Sequence, residues 1–334
     1  MSRKEVEVLF LSREDVERNI EVKEAIDIVE EAQREWGNGQ TENGPLIPMK
    51  FKDIQPERHG NFMYGCAYLK NMDVSGMVWT AVFRDNPSKY GLPFATGIEI
   101  INDTVTGQPL AVMERSKITE MVTAATSAVG AKYLARADSK VLGIVGCGAQ
   151  GRTHLQAIKE LFDIKTVKVF DAKKEFLEKY IEEMSDKADV DIQPAESAEE
   201  VVSNSDIVVT VINPAVPLIK YNMIKPGSLV IAACGARELY DDVCNKMDKF
   251  TVDDWEHILE RYRFKDFLSR GIITRETPHL ELGKIIAGKQ KGRENNNEKI
   301  LFVHAGMIIN HIAIGHLIYK KAKENGAGKE FRVL

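Results

Sequence analysis

The stretch "SKVLGIVGCGAQGRTHLQAIKE", residues 139–160, places a glycine-rich turn between an apolar run and a segment of helical spacing. Gly146, Gly148 and Gly151 form the pattern GxGxxG within it. The apolar run predicts a strand over Val141–Val145, and the segment after the loop predicts a helix over Gln150–Leu161. This order is typical of the unit that holds a dinucleotide, because phosphate is attracted to a helix N-terminus.

Each position in the loop has its own reason. Gly146 allows the tight turn, Gly148 lets a pyrophosphate approach the backbone, and Gly151 lets helix and strand pack closely. Ala149 and Gln150 complete the predicted cofactor-binding loop.

An acidic residue ends the next predicted strand. Asp171 follows Gly151 by 20 positions, the spacing at which a carboxylate accepts hydrogen bonds from the ribose hydroxyls. A carboxylate there also repels a 2′-phosphate, so the sequence favours NAD(H) over NADP(H). Lys173 and Lys174 argue the other way, because their charges could bind the 2′-phosphate of NADP(H).

Further apolar strands follow the loop at regular intervals, separated by amphipathic helices, which predicts a doubly wound parallel sheet of the Rossmann type. The carboxyl ends of such strands face the ligand crevice. Four residues end two of the strands, and we predict that they line the nicotinamide half of the cofactor site: Thr210, Asn213, Cys234 and Gly235. Ordinary loop positions are the alternative interpretation.

The regions on either side of this α/β segment have a different pattern. From residue 46 to residue 113, strand-like pieces alternate with turns rich in Asn, Asp, Pro and Gly, which predicts an antiparallel sheet. A long helix is predicted from His304 to Gly326. We therefore predict an α+β domain formed by residues 1–118 and 300–334, with a Rossmann domain of residues 119–299 inserted.

Composition limits the possible partners. The chain has 334 residues, 44% of them hydrophobic and 28% charged, with a formal net charge of -5. This charge predicts neither a nucleic-acid nor a membrane partner. No apolar run reaches about 18 residues, and the charged N-terminus does not resemble a signal peptide. Four scattered cysteines favour reduced thiols in a cytoplasmic protein.

With these motifs in order, the chain resembles the ornithine cyclodeaminase/mu-crystallin family over nearly its full length. The stretches that carry the resemblance are "IINDTVTGQPLAVME", "ITEMVTAATSAVGAKYLAR" and "GIVGCGAQGRTHLQA". The resemblance implies a nicotinamide cofactor, chemistry at C–N centres and a homodimer formed through the sheet of the first domain. Members include ornithine cyclodeaminases, alanine dehydrogenases, imino-acid reductases and the hormone-binding mu-crystallins.

The substrate end of the family pattern is altered. Val122 stands where the family places an arginine that holds the substrate carboxylate, and Val78 stands where it commonly places a lysine. A catalytic aspartate of the cyclodeaminases aligns near Ala236. Arg84 and Arg115 are candidate replacements that could hold a different anion, although a solvated surface position is the simpler interpretation of both. We therefore expect a substrate that is not held by the family's usual cations.

Two histidines are the predicted proton-handling groups. His304 and His311 are seven positions apart, which would place them on one face of the predicted last helix. The resemblance places His304 near the nicotinamide, and an imidazole can act as acid or base near neutral pH. The alternatives are core histidines or metal ligands, but no third ligand has suitable spacing, so no metal is predicted.

Three functions remain compatible with the sequence. The first is an NAD(H)-dependent dehydrogenase or imine reductase with an unusual small-molecule substrate. The second is an amino- or imino-acid enzyme whose carboxylate-binding cations have moved to Arg84 or Arg115. The third is a cofactor-gated binding protein of the mu-crystallin kind.

Overall fold

The computed structural model describes residues 5–49, 60–83, 85–260 and 262–333. In chain order the strands are β1 (Glu7–Leu11), β2 (Thr41–Asn43), β3 (Ile47–Met49), β4 (Gly60–Leu69), β5 (Val74–Phe83), β6 (Ala95–Asn102), β7 (Pro109–Glu114), β8 (Val141–Val145), β9 (Thr166–Phe170), β10 (Asp191–Pro194), β11 (Ile207–Thr210), β12 (Leu229–Ala232), β13 (Lys249–Val252), β14 (Leu280–Glu281), β15 (Ile300–Val303) and β16 (Lys329–Arg332).

The helices are α1 (Arg13–Arg18), α2 (Val22–Gly37), α3 (Ser116–Leu134), α4 (Ala149–Leu161), α5 (Lys174–Ala188), α6 (Ala198–Asn204), α7 (Asp241–Lys246), α8 (Trp255–Leu259), α9 (Tyr262–Ser269), α10 (Leu282–Ile286) and α11 (Ile308–Asn325). Short turns of tighter or wider helix lie at Tyr221–Met223 and Asn86–Tyr90.

The chain divides into two units. The first comprises residues 1–122 and 307–334, and the second comprises residues 123–306. The first unit contains a mostly antiparallel sheet in the order β16-β1-β7-β6-β5-β4-β2, with β3 also paired to β4 and β1 parallel to β7. Helix α11 approaches this sheet closely: a Cβ added to Gly76 in β5 would lie 2.8 Å from a methyl carbon of Ile312 in α11.

The second unit contains an all-parallel sheet in the order β10-β9-β8-β11-β12-β15-β13-β14. Successive strands run outward from β8 to β10 and then in the opposite direction from β11, so the order reverses between β8 and β11. Ligands of doubly wound sheets bind at the carboxyl edge near such a reversal. The predicted fold class, a doubly wound parallel sheet within an α+β region formed by both chain ends, is confirmed.

The boundaries differ from the predicted ones. The predicted boundary at residues 299 and 300 placed β15 in the first domain, whereas β15 pairs with β12 and β13 at the centre of the parallel sheet. The boundary lies after Gly306 instead. At the other end the boundary lies within α3, after Val122, four residues beyond the predicted position. No helix among the described residues is long and apolar enough to cross a membrane.

The last helix also begins later than predicted. Helix α11 starts at Ile308 with Met307 as its N-cap, so His304 is not on the helix and shares no helical face with His311. The cause is a turn at residues 305–306, where Gly306 has a φ of +85°. Its backbone N–H groups donate to the buried Asp253 carboxylate, from Ala305 at 3.0 Å and from Gly306 at 2.9 Å. The predicted end of the helix at Gly326 is confirmed.

Candidate functional site

The loop after β8 has the geometry that its glycines predict. Gly146 has a φ of +113°, a region that L-residues avoid, and its N–H donates to the Phe170 carbonyl at 2.8 Å. A Cβ on Gly151 would lie only 2.3 Å from the Gly146 carbonyl oxygen. The backbone therefore closes on itself at these two positions, and the turn is possible only with glycine at both.

The middle glycine of the pattern faces open space. Gly148 is the N-cap of α4, and an added Cβ there would meet no described atom within 4 Å. The first N–H groups of a helix have no intrahelical acceptor, and Gly148 has no side chain to cap them. Beside them, the Oε1 atom of Gln150 is buried and has no hydrogen-bond partner in the described part of the chain. The free backbone N–H groups, rather than this acceptor oxygen, fit a phosphate group.

Asp171 is anchored next to the loop. Its Oδ2 accepts from the Cys147 N–H at 2.9 Å, and its Oδ1 accepts from the Lys173 N–H at 2.9 Å. The carboxylate is thus oriented by backbone groups, and each oxygen keeps a lone pair for a ribose hydroxyl. Lys173 and Lys174 are exposed at the start of α5, and the Lys173 ammonium lies 5.2 Å from the Phe176 ring centre.

The four residues predicted along the nicotinamide half end the adjacent strands β11 and β12. Asn213 is exposed, whereas Thr210 is fully buried and its hydroxyl contacts the Glu238 carboxyl group. Cys234 is half-buried, and burial raises the pKa of its thiol to about 12. Gly235 has a φ of +88°. Their contact with a cofactor stays a prediction.

Sequence reasoning missed Glu238. This carboxyl group is fully buried beside Thr210, and burial raises its pKa to about 7. Its Oε2 atom has no hydrogen-bond partner among the residues that the structure describes. The short segment after β12 contains several charged residues and no periodic pattern, so no sequence signal distinguishes Glu238 from its solvated neighbours.

His304 lies in a buried hydrogen-bond chain of the second unit. Its Nε2 is 2.8 Å from the Ser127 hydroxyl, which is 2.9 Å from Nε2 of His154. The chain ends where Nδ1 of His154 lies 2.7 Å from the Gln150 carbonyl in the first turn of α4. Three elements thus meet here: the end of β15, helix α3 and helix α4.

Both histidines of this chain are uncharged at neutral pH. Burial, and then the neighbouring His154, lowers the pKa of His304 to about 3. Burial lowers the pKa of His154 to about 4. The prediction that His304 handles a proton is not tested by this geometry. A histidine with so low a pKa is neutral at pH 7, where its ring nitrogens can form hydrogen bonds but carry no positive charge.

His311 lies in a different cluster, in the first unit. Its Nδ1 is 2.6 Å from the Glu99 carboxylate, and its Nε2 is 3.3 Å from Nη2 of Arg115. The Arg115 Nε atom is 3.6 Å from Glu99 Oε1. Burial and then the Arg115 charge lower the pKa of His311, while Glu99 raises it.

The surroundings of Arg115 correct the sequence interpretation. A solvated surface was expected, but Arg115 is only 7% exposed and Glu99 is fully buried. Glu99 itself was missed, although β6 gave a signal: alternation places it on the same face as the buried Ile101. Neither Arg115 Nε nor Glu99 Oε2 has a hydrogen-bond partner within the described ranges.

The two valines at which the resemblance led us to expect cations lie in the core of the first unit. Val78 is 0% exposed and pairs across the sheet with Glu99, and Val122 is 1% exposed on α3. Arg84 lies outside the described residues. Among the residues that are described, no three His, Cys, Asp or Glu side chains are grouped as a metal site would need.

Comparison with known proteins identifies the class of this fold and loop. The model of the ornithine cyclodeaminase/mu-crystallin family matches residues 6–326, and the chain belongs to that family. The predicted membership is confirmed. Alanine dehydrogenase of Archaeoglobus fulgidus is 32% identical over 98% of this chain and 99% of its own length.

Two solved structures resemble the whole chain. Delta(1)-pyrroline-2-carboxylate reductase of Thermococcus litoralis, in complex with NADH and L-proline, has a TM-score of 0.90 and 35% identity. That comparison covers 96% of this chain and 99% of the reductase. An archaeal alanine dehydrogenase dimer with bound NAD has a TM-score of 0.91 and 31% identity. That comparison covers 98% of this chain and 100% of the dehydrogenase chain.

Proposed function

We propose that this family member, an NAD(H)-dependent oxidoreductase, acts at a C–N or C–O centre of a small substrate that is not held by cations at positions 78 and 122. When bound, the dinucleotide would supply the hydride acceptor or donor. The chain's own residues bind it, orient the substrate and move the accompanying proton. The observation that carries the proposal is the open, glycine-lined N-terminus of α4.

The loop supports the cofactor. The space beside Gly148 is open, and Asp171 is anchored next to the loop by two backbone donors. A carboxylate in this position suits the free ribose hydroxyls of NAD and disfavours the extra phosphate of NADP. The NADH and NAD bound in the two similar structures support the same choice.

The buried valines support an altered substrate site. A carboxylate placed against Val78 or Val122 would lose its hydration without gaining a cation or a hydrogen-bond donor in return. Proteins hold carboxylates with charge-assisted, often bidentate contacts, which valine cannot make. The substrate is therefore either free of a carboxylate or held by another cation.

Arg115 is the residue that would bind the substrate carboxylate if the protein is an amino- or imino-acid enzyme with relocated cations. L-proline in the Thermococcus litoralis reductase carries a carboxylate, which favours an amino- or imino-acid substrate in a similar protein. Arg115 is a buried guanidinium whose Nε makes no hydrogen bond to the described residues. It is also already paired with Glu99, so its net attraction for a further anion is reduced.

The assembly proposed from the resemblance is a homodimer formed through the sheet of the first unit. One face of this sheet presents Tyr64, Trp79 and Ile98, which are at least partly exposed. The similar alanine dehydrogenase is a dimer. A small-molecule substrate, the absence of nucleic-acid and membrane partners, and a cytoplasmic location stay predictions.

The test follows the absorbance of NADH with purified protein and two substrate sets. The first set contains α-imino acids, formed from pyruvate with ammonia or methylamine, and cyclic imino acids. The second contains imines, ketones and aldehydes without a carboxylate. Arg115→Ala and Arg84→Ala are compared with Lys117→Ala, which removes a less buried cation from the first turn of α3.

Each outcome selects one function. Turnover confined to the second set supports the proposal. Turnover of the first set that is lost in Arg115→Ala or Arg84→Ala, but not in Lys117→Ala, supports the relocated carboxylate site, provided that circular dichroism shows the inactive variant to be folded. NADH binding without consumption of either set supports a cofactor-gated binding protein of the mu-crystallin kind. Failure to bind NADH contradicts the proposal altogether.

A further inference from the structure

The buried chain from His304 to Gln150 has one possible hydrogen-bond direction. The Gln150 carbonyl can only accept, so Nδ1 of His154 carries a proton and donates at 2.7 Å. A neutral imidazole has a single N–H, so Nε2 of His154 must accept, and its donor is the Ser127 hydroxyl at 2.9 Å. The direction at the α4 end of the chain is therefore fixed by the backbone.

The Ser127 hydroxyl in turn fixes the tautomer of His304. A serine hydroxyl has one proton, and Ser127 has given it to His154, so its oxygen must accept at 2.8 Å from Nε2 of His304. His304 is thus the Nε2–H tautomer, and its Nδ1 carries a lone pair. No described residue donates a hydrogen bond to that Nδ1. The chain leaves one acceptor for a ligand.

The place of this acceptor narrows the ligand. His304 follows β15 at the carboxyl edge of the parallel sheet, next to the end of β12. The phosphate loop follows β8 and Asp171 follows β9, both on the other side of the reversal in strand order. The nicotinamide half of a dinucleotide lies on the β11, β12 and β15 side of such a sheet. Its carboxamide is the group there that carries N–H donors.

We propose that Nδ1 of His304 accepts a hydrogen bond from the nicotinamide carboxamide, and that Ser127 and His154 are positioning residues that hold His304 in the tautomer this contact requires. The proposal rests on the proposed cofactor. It assigns His304 a cofactor-orienting task that an uncharged imidazole performs at any pH above its low pKa. It also explains why a histidine here is tied to the first turn of the phosphate-binding helix.

The proposal makes His304 a structural reporter of the phosphate loop. Because the chain ends on the Gln150 carbonyl, a shift of the first turn of α4 weakens the bond that fixes the tautomer of His154. Ser127 then loses its fixed acceptor, and His304 loses its preference for Nε2–H. Binding at the loop and orientation of the nicotinamide are thereby connected through side chains of one unit.

The first experiment compares two dinucleotides by calorimetry on the full chain. NADH has the carboxamide N–H, and the reduced 3-acetylpyridine analogue replaces the amide by a methyl ketone and has no donor. The wild type is expected to bind NADH about threefold to tenfold more tightly, the value of one hydrogen bond. In His304→Gln, which keeps an amide nitrogen near the Nε2 position, the preference is lost. In His304→Asn, which keeps an acceptor near Nδ1, it is retained.

The control removes a histidine without hydrogen bonds. His316→Ala deletes a ring whose two nitrogens are buried and unpaired in the described structure, and it should leave the preference unchanged. Equal affinities of wild type for the two dinucleotides would overturn the proposal, as would a preference that survives in His304→Gln. If wild type binds neither dinucleotide, the proposed function fails instead, which separates the two results.

A second measurement tests the positioning residues without any cofactor. Nitrogen-15 NMR of the apo protein should show His304 as the Nε2–H tautomer, and Ser127→Ala should convert it to a mixture of tautomers. Ser127→Ala should also reduce the preference for NADH while leaving the affinity for the acetylpyridine analogue unchanged. A pure Nδ1–H tautomer in wild type, or a variant with an unchanged tautomer, would contradict the assigned chain.

Discussion

His304 and His311 both lie in buried polar clusters, but the first cluster is uncharged and the second contains two charged groups. His304 is bonded to an uncharged hydroxyl and, through it, to the uncharged His154. His311 lies between the Glu99 carboxylate and the Arg115 guanidinium. The first cluster is held together by hydrogen bonds between uncharged groups. The second depends on the balance of two buried charges.

This difference determines what a substitution does in each cluster. Removing one member of an uncharged chain lowers the free energy of unfolding by about the contribution of one or two hydrogen bonds. Removing one charge of a buried pair leaves the other charge without its partner in a poorly hydrated interior, which costs far more. The following predictions test this contrast, from the largest expected effect to the smallest.

The largest effect is expected for Glu99→Gln. The substitution keeps the shape of the side chain but removes the buried charge that is paired with Arg115. We expect the free energy of unfolding to fall by about 3 to 5 kcal/mol, measured by urea denaturation. The double variant Glu99→Gln with Arg115→Met should recover much of this loss. A single variant as stable as wild type would show that the pair does not act as a charge pair.

The second prediction concerns acid stability. The pKa values of His304, about 3, and His154, about 4, lie below the ordinary value of 6.5, so the unfolded chain binds protons that the folded chain does not. Stability from these groups is therefore complete above pH 6.5 and is lost as the pH falls toward 4. Each histidine should contribute a slope of up to about 1.4 kcal/mol per pH unit.

Denaturation midpoints at a series of pH values measure this slope. His304→Asn should reduce the slope between pH 6 and 4.5 by about one histidine's share. The slope of His316→Ala is measured for comparison. Burial also lowers the pKa of His316 to about 4, but that residue belongs to neither cluster. An unchanged slope in His304→Asn would mean that His304 is not buried in its neutral form.

The third prediction separates binding from folding within the loop. Gly148→Ala adds a Cβ into open space, so stability should be kept while NADH affinity falls by about tenfold or more. Gly151→Ala places a Cβ against the Gly146 carbonyl at 2.3 Å and should lower stability by about 1 to 3 kcal/mol. Calorimetry and thermal denaturation measure the two effects. Loss of stability in Gly148→Ala would contradict an open cradle.

The smallest effect is expected at Asp171, a carboxylate that, unlike Glu99, is held by backbone N–H groups at an accessible position. Asp171→Ser should leave stability nearly unchanged and shift the ratio of NADH to NADPH affinity by about tenfold toward NADPH. Competition binding of the two cofactors measures the ratio. An unchanged ratio would assign cofactor preference to other residues, with Lys173 the first to examine.

The cofactor loop was predictable because its information is local. The strand Val141–Val145 was predicted with its observed bounds, and the helix after the loop begins one residue earlier than predicted. Glycine spacing, an uncapped helix N-terminus and an acid after the next strand all follow from neighbouring positions in the chain. The family resemblance and the fold class were read from the same local motifs.

The histidine and arginine environments were not predictable in this way. His304 was expected on the last helix, because nothing nearby in the sequence shows that Asp253 holds the turn at residues 305–306. Arg115 was expected at the surface, because its partner Glu99 comes from another strand and His311 from a helix nearly two hundred positions later. Their roles depend on contacts between distant segments.

The sequence alone determined the Rossmann class and the dinucleotide loop, because both follow from residue type and short-range spacing. Only the tertiary structure decided which polar side chains are buried together and which hydrogen-bond direction they share. Burial and partnership set the charge state of a titratable group, and both are properties of the packed chain rather than of the residue.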